Sequence, residues 1–436
     1  MKPTGAIPEY PSRGQTGLSQ REKWLYYLLL FFFMALFVPG ITWLYNAAMW
    51  LIFLYSFRFS TVAEKWAALR SRKGLQWLLL FFTINLISGF FSHNRQESLS
   101  WIGIRISLLV FPFALGTIQI RPAFFLFIIR SFSGVIASVA GITLLIALGR
   151  ALLSQDPSLL YNDNLTSIYE LQSVYFALLV NLALIGYAWL WAQRRLVVNS
   201  VTITAILVLF VVQCLLASRI SLIFLGLAVI GFGAYWAYTN QQWKRVFLVF
   251  ALLAASVVVF FFFFPKTLNR FRELGYAHFN YHSTARESHF NSELTAAQWN
   301  GANIRLAIWE SSAPVIKRHW LFGVGIGDKM DSLLSRYKTV GFDFGIRTRR
   351  NMHNTYLDLL FTMGTIGLFV FLLAFAIHPL SQAWRYRDGW IAAVTICFLF
   401  AMFPETYPDR TIGNTYLSFF AALIVARTAA YKQYQA

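Results

Sequence analysis

Charge is scarce in this chain. Asp, Glu, Lys and Arg make up 13% of its 436 residues against 58% hydrophobic ones, whereas a soluble domain carries about a quarter charged residues. That shortage excludes an ordinary globular protein in water. Acid is scarcer than base, 18 residues against 37, a balance that in a soluble chain would first suggest nucleic acid. Cysteine is almost missing. Cys214 and Cys397 both fall inside apolar runs, so neither a disulfide framework nor a zinc site of the usual spacing can be built. There is also no repeat of fixed period, and no acidic or low-complexity linker that would divide the chain into soluble domains.

What the chain has in abundance is apolar length. Runs near the length needed to cross a bilayer as a helix recur at 24–38, 41–57, 75–91, 99–116, 123–148, 169–192, 201–217, 220–238, 246–264, 354–377, 390–403 and 412–426. They predict an all-α polytopic membrane protein with about twelve transmembrane helices, the first two and last two being the shortest. Basic residues sort accordingly. With both termini in the cytoplasm, the inner segments hold Arg21, Lys23, Arg58, Lys65, Arg70, Arg72, Lys73, Arg194, Arg195, Lys244 and Arg245, among others. The short outer loops hold only Arg95, Arg150, Arg219 and Arg410, beside Glu97, Asp156, Asp163, Glu405 and Asp409. This is the positive-inside pattern, so much of the net charge of +19 reflects topology, and no nucleic-acid partner is expected.

Five stretches follow. A polar cytoplasmic tail, 1–23, is rich in Pro, Gly and Ser up to Gln20 and is expected to be poorly ordered, with the first span uncleaved. Spans one to nine occupy 24–264, a long outer segment 265–352, spans ten to twelve 353–426, and a second cytoplasmic tail 427–436. The outer segment is the one long polar interruption, and the chemistry is expected there.

Within it, 303–319 and 328–340 have apolar residues at helical spacing, with Asp328 placed to cap the second helix. Between them, Leu321-Phe322-Gly323-Val324-Gly325-Ile326-Gly327 lacks the spacing of a dinucleotide fingerprint or a P-loop; it is expected to be a tight turn between helices. Basic residues outnumber acidic ones thirteen to seven across the segment. On the outer side topology does not favour such an excess. An anionic ligand such as a lipid phosphate or a sugar pyrophosphate accounts for it, as does contact with anionic headgroups. Arg347, Arg349 and Arg350 cluster at its end.

His353 follows at once. Asn351 is expected to cap the next helix, putting His353 in its first turn beside Asn354 and Tyr356. A helix N-terminus and three arginines disfavour imidazolium, so a neutral ring able to accept a proton is expected. A polar anchor at the membrane interface is the plainer alternative. The remaining histidines have no metal-ligand spacing, and no metal is assigned. Arg105 and Arg130 stand inside apolar runs, where a charge is costly and commonly faces a cavity or a partner. Arg219 opens a span on the outer side, against the topological trend.

Taken together, Ala217-Ser218-Arg219, Asn303-x-Arg305-x-x-x-Trp309, the 321–327 motif, and His353-Asn354-Thr355-Tyr356-Leu357 leading to Gly364 and Gly367 resemble the O-antigen ligase and polymerase superfamily of bacterial inner-membrane enzymes. The resemblance covers 201–373, and Ile220 and Ser221 depart from the small residues common in relatives. One long periplasmic segment between the ninth and tenth spans looks most like the lipopolysaccharide O-antigen ligases. What the resemblance implies is a GT-C glycosyltransferase of the inner membrane, active on the periplasmic face. It would move O-antigen polysaccharide from undecaprenyl pyrophosphate to the lipid A core, with inversion and without metal, cofactor or nucleotide sugar. His353 would be the general base, with Arg305 and Arg219 at the pyrophosphate. Arg347, Arg349, Arg350, Arg105, Asn354 and Tyr356 would bind substrate. An O-antigen polymerase and a protein O-oligosaccharyltransferase are the nearest alternatives, and a lipid-linked glycan transporter a more distant one.

Overall fold

Ser19 and Glu22 form a capping box that starts the first helix, α1 (Gln20–Ala35), and Pro39-Gly40 separates it from α2 (Thr42–Tyr55). The computed structural model describes residues 17–244, 247, 251, 271–288 and 298–435. Most of the expected ninth span and His289 lie outside the described residues, as does the tail through residue 16. Among the described residues the regular structure is helical, with a single isolated bridge between Glu287 and Trp299. The protein is thus an all-α, multi-pass membrane protein.

A second capping box, Thr61 with Glu64, opens α3 (Val62–Ser71), and α4 (Lys73–Phe91) leads outward from it. The run expected as one span at 99–116 is broken: α5 (Arg95–Ile104) stops at Arg105 and α6 (Ser107–Ala114) resumes with Pro112 inside it. Next come α7 (Pro122–Ser154), α8 (Ser173–Ala192), α9 (Ser200–Leu215) and α10 (Arg219–Asn240). The outer segment supplies α11 (Asn303–Arg318), α12 (Lys329–Val340) and α13 (Asp343–Thr348). The chain then enters α14 (Thr355–Leu372), continues through a π-helical turn into α15 (His378–Tyr386), and ends with α16 (Gly389–Ala401) and α17 (Thr411–Gln435).

Seven helical stretches among the described residues are long and apolar enough to cross a membrane: Lys73–Phe91, Arg95–Ala114, Pro122–Ser154, Ser173–Ala192, Arg219–Thr239, Thr355–Tyr386 and Thr411–Tyr431. α9 and α16 are apolar but shorter. The expected spans 24–38 and 41–57 form helices of 16 and 14 residues, each about 20–24 Å long at 1.5 Å per residue, short of a 30 Å hydrocarbon core.

Two apolar cores organise the described residues. In the bundle, Phe32, Phe33, Phe111, Phe132, Phe419 and Phe420 meet mainly edge to face, the arrangement that aligns ring edges with ring faces. α17 and α8 run through the middle, with 89% and 83% of their best apolar windows covered, whereas 17% of α10 is covered; among the described residues α10 therefore stands at an edge. The outer segment has its own smaller core of Trp299, Ile308, Leu333, Tyr337, Phe342 and Phe344.

The 321–327 motif joins the two. It is a turn, as expected, but one spliced into a helix: α14 is interrupted at Gly364 (φ 65°, ψ −166°). There the Thr365 and Ile366 N–H groups donate to Trp320 and Leu321 carbonyls, while Phe361 and Thr362 carbonyls accept from Val324 and Gly325. A Cβ on Gly323 would lie 2.3 Å from the Thr362 carbonyl carbon, and one on Gly364 2.2 Å from that of Leu321. Backbone meets backbone here, which only glycine permits.

Candidate active site

The site lies where the outer segment meets the loop between α16 and α17. Arg219 is the first residue of α10, reached through Ala217 in the left-handed region (φ 50°). Its Nη1 lies 3.6 Å from Glu273 Oε2. Arg305 stands in the first turn of α11, with Nε and Nη2 donating to the Pro404 carbonyl at 3.2 and 3.0 Å and Nη1 donating to the Gly301 carbonyl. These carbonyl partners fix the guanidinium without neutralising it.

Gly301 brings the two arginines together. A Cβ built there would sit 3.2 Å from Arg219 Nη2 and 3.2 Å from Arg305 Nη1, so those nitrogens are no further apart than twice that distance. The missing side chain leaves the space in which both guanidinium groups converge.

His353 meets the residue after Pro404. Its Nδ1 lies 3.4 Å from Glu405 Oε2, and the Glu405 carbonyl accepts from Thr355 Oγ1 at 2.7 Å. Thr355 N–H donates to the Met402 carbonyl and Tyr407 N–H to Thr355 Oγ1, so the loop is fastened to the start of α14. With a proton on Nδ1 directed at the carboxylate, Nε2 is left as the accepting nitrogen. Burial pushes the Glu405 carboxyl up, but the His353 contact, the Arg305 charge and the Thr406 N–H outweigh it and hold the group below the ordinary carboxylate value.

Sequence reasoning placed His353 inside the first helical turn, capped by Asn351. The structure corrects both points: Asn354 is the N-cap, accepting from Leu357 N–H at 2.9 Å, and His353 precedes it at φ 43°. Asn351 instead accepts the His353 N–H at 3.2 Å. Asp328 likewise does not cap its own helix. Its carboxylate receives the His93 and Asn94 N–H groups, both at 2.8 Å, tying the outer segment to the top of α4.

The remaining expected residues divide. Arg347 and Arg349 are exposed on and just after α13, while Arg350 pairs with Glu287 and covers the Phe344 ring. Asn354 is buried in its cap, and Tyr356 donates to the Leu399 carbonyl at 2.7 Å; both have structural duties. Arg105 is fully buried, bonded to Asn85, the Pro408 carbonyl and Asp409, so protein groups occupy the fork expected for substrate. Among the described residues no three His, Cys, Asp or Glu side chains gather as metal ligands. Glu405 had no local signal, being one acid in a short outer loop.

Residues 204–372 match the family model described as O-antigen ligase. Over that stretch the chain is similar to the O-antigen ligase superfamily. The matched stretch contains Arg219, Arg305 and His353, whereas Glu405, Asp409 and Arg105 lie beyond it. No curated protein matches the chain.

Proposed function

We propose that the protein is a glycosyltransferase that moves O-antigen polysaccharide from undecaprenyl pyrophosphate to the lipid A core on the periplasmic face of the inner membrane. The observation that carries this reading is the convergence of two guanidinium groups over Gly301, with one of them bonded to the carbonyl next to the carboxylate that touches His353. Nε2 of His353 takes the proton of an acceptor sugar hydroxyl, and the oxygen attacks the anomeric carbon. The bond from that carbon to the pyrophosphate oxygen breaks with its electron pair, and undecaprenyl pyrophosphate leaves from the opposite face with inversion. Arg219 and Arg305 stabilise the charge growing on the leaving group, the stage at which fixed cations in a partly dried site contribute most. Glu405 holds the ring in the useful tautomer and balances the imidazolium once formed. Exposed Arg347 and Arg349 suit phosphates of the acceptor.

The test is a reconstitution with purified polyprenyl-pyrophosphate-linked glycan and one of three acceptors: lipid A core, a second donor molecule, or a protein bearing Ser and Thr. The lipid A core should gain mass. Extension of the donor alone would make the protein a polymerase, modification of the protein an oligosaccharyltransferase, and movement without any covalent product a transporter.

A further inference from the structure

One lysine of the outer segment is wholly buried. Lys329, the first residue of α12, has no exposed side-chain surface; its ammonium lies 3.3 and 3.4 Å from the two Asp358 oxygens, contacts Asp409 Oδ1, and stands 4.2 Å over the Trp101 ring. Arg105 approaches the same Asp409 oxygen at 3.5 Å. Two cations and two carboxylates thus close on one another, contributed by the α5–α6 break, α12, α14 and the 407–409 turn. Such a set tolerates burial while complete, and loss of one member leaves a charge without compensation.

Among the cluster's outward connections, one leads to His353. Asp409 Oδ2, not engaged by either cation, accepts from Asn351 Nδ2 at 3.1 Å, and Asn351 Oδ1 accepts the His353 N–H at 3.2 Å. His353 needs such a constraint. A histidine at φ 43° is in the left-handed region, which a non-glycine residue adopts at a cost and which must be imposed by its surroundings. We propose that Lys329 is a positioning residue for His353, acting through Asp409 and Asn351. Without the ammonium, Asp409 turns to Arg105 alone, its second oxygen leaves Asn351, and the backbone that aims the imidazole loses its tether. The inference rests on His353 being the base of the transfer reaction.

The experiment compares purified wild type with Asn351→Ala, Lys329→Met, Lys329→Arg and His353→Ala, measuring kcat, the donor KM and the thermal midpoint with lipid-linked donor and lipid A core. Asn351→Ala should lower kcat by about tenfold to a hundredfold, the scale of a small misplacement of a reacting group, with the donor KM unchanged. Lys329→Met should do the same, and Lys329→Arg should recover part of the loss. Wild-type kcat in Asn351→Ala, or a rise in KM equal to the change in kcat, overturns the proposal. Asn351→Ala decides alone if Lys329→Met does not fold, because it cuts the connection with all four charges in place. No product from wild type would defeat the function itself, and full activity of His353→Ala would defeat the base. A defect in His353→Ala with normal Asn351→Ala defeats only the positioning role.

Discussion

Two groups of ionised side chains hang on the same outer loop, 402–410, and are composed alike. One holds Arg105, Lys329, Asp358 and Asp409; the other holds Arg219, Arg305, Glu273, Glu405 and the His353 ring. Access separates them. In the first, both cations have 0% exposed side-chain surface; in the second, Arg219 retains 17% and His353 21%. The closed group is therefore structural, and the open group keeps cations where an anion from outside can reach them. A buried ion pair contributes little net stability but is costly to break, which makes the first group rigid and a suitable support for the second.

The comparison can be broken most directly at His353. Replacing it with Ala should lower transfer by about 10²- to 10⁴-fold, the usual share of a general base, in a single-turnover assay. Next, Arg305→Ala should cost about 10²- to 10³-fold, as for loss of one transition-state donor. Arg305→Lys should recover little, because an ammonium cannot reproduce the fork that holds Pro404 and Gly301 carbonyls together.

Glu405→Gln should have a smaller effect, about tenfold in kcat, and it also tests the pH dependence. The folded carboxyl is held below its ordinary value of 4.5, so its stabilisation is fully present above that value and is lost as pH falls through the lowered folded one. The wild-type thermal midpoint should drop on acidification below that point, and Glu405→Gln should flatten this part of the profile. A steeper profile in the variant would remove the assigned contact. Smallest of all, Asp328→Asn exchanges a carboxylate that accepts two N–H groups for an amide with one oxygen, and should cost about 1 kcal/mol of stability, the scale of a lost cap, with kcat unchanged.

The sequence disclosed features that depend on neighbours along the chain. The helices Asn303–Arg318 and Lys329–Val340 lie within a residue of their expected limits, because apolar spacing and the following glycine are local. Arg219 stood out as a cation against the topological trend, Arg305 through the Asn303-x-Arg305-x-x-x-Trp309 motif and His353 through its place before a new apolar run; Arg219 and Arg305 meet at Gly301, and His353 lies beside Glu405. Partners distant in sequence were hidden. Glu405 is 52 residues from His353, and nothing near it marks it as different from Asp163 or Glu97. Arg105 could be seen as a charge in an apolar run, yet whether its fork faced a ligand or Asp409, 304 residues away, is decided only by packing. The break at Gly364 was equally invisible, since the apolar run passes through it without change.

That break makes one helix depend on a distant turn. Straightened, α14 would close its own ladder, Thr365 to Phe361 and Ile366 to Thr362, as any crossing helix does. The spliced form exchanges those two bonds for four with the stretch that precedes it in translation. The mature shape of α14 therefore requires the 320–325 stretch to be in place beside it, so this helix and that turn complete each other.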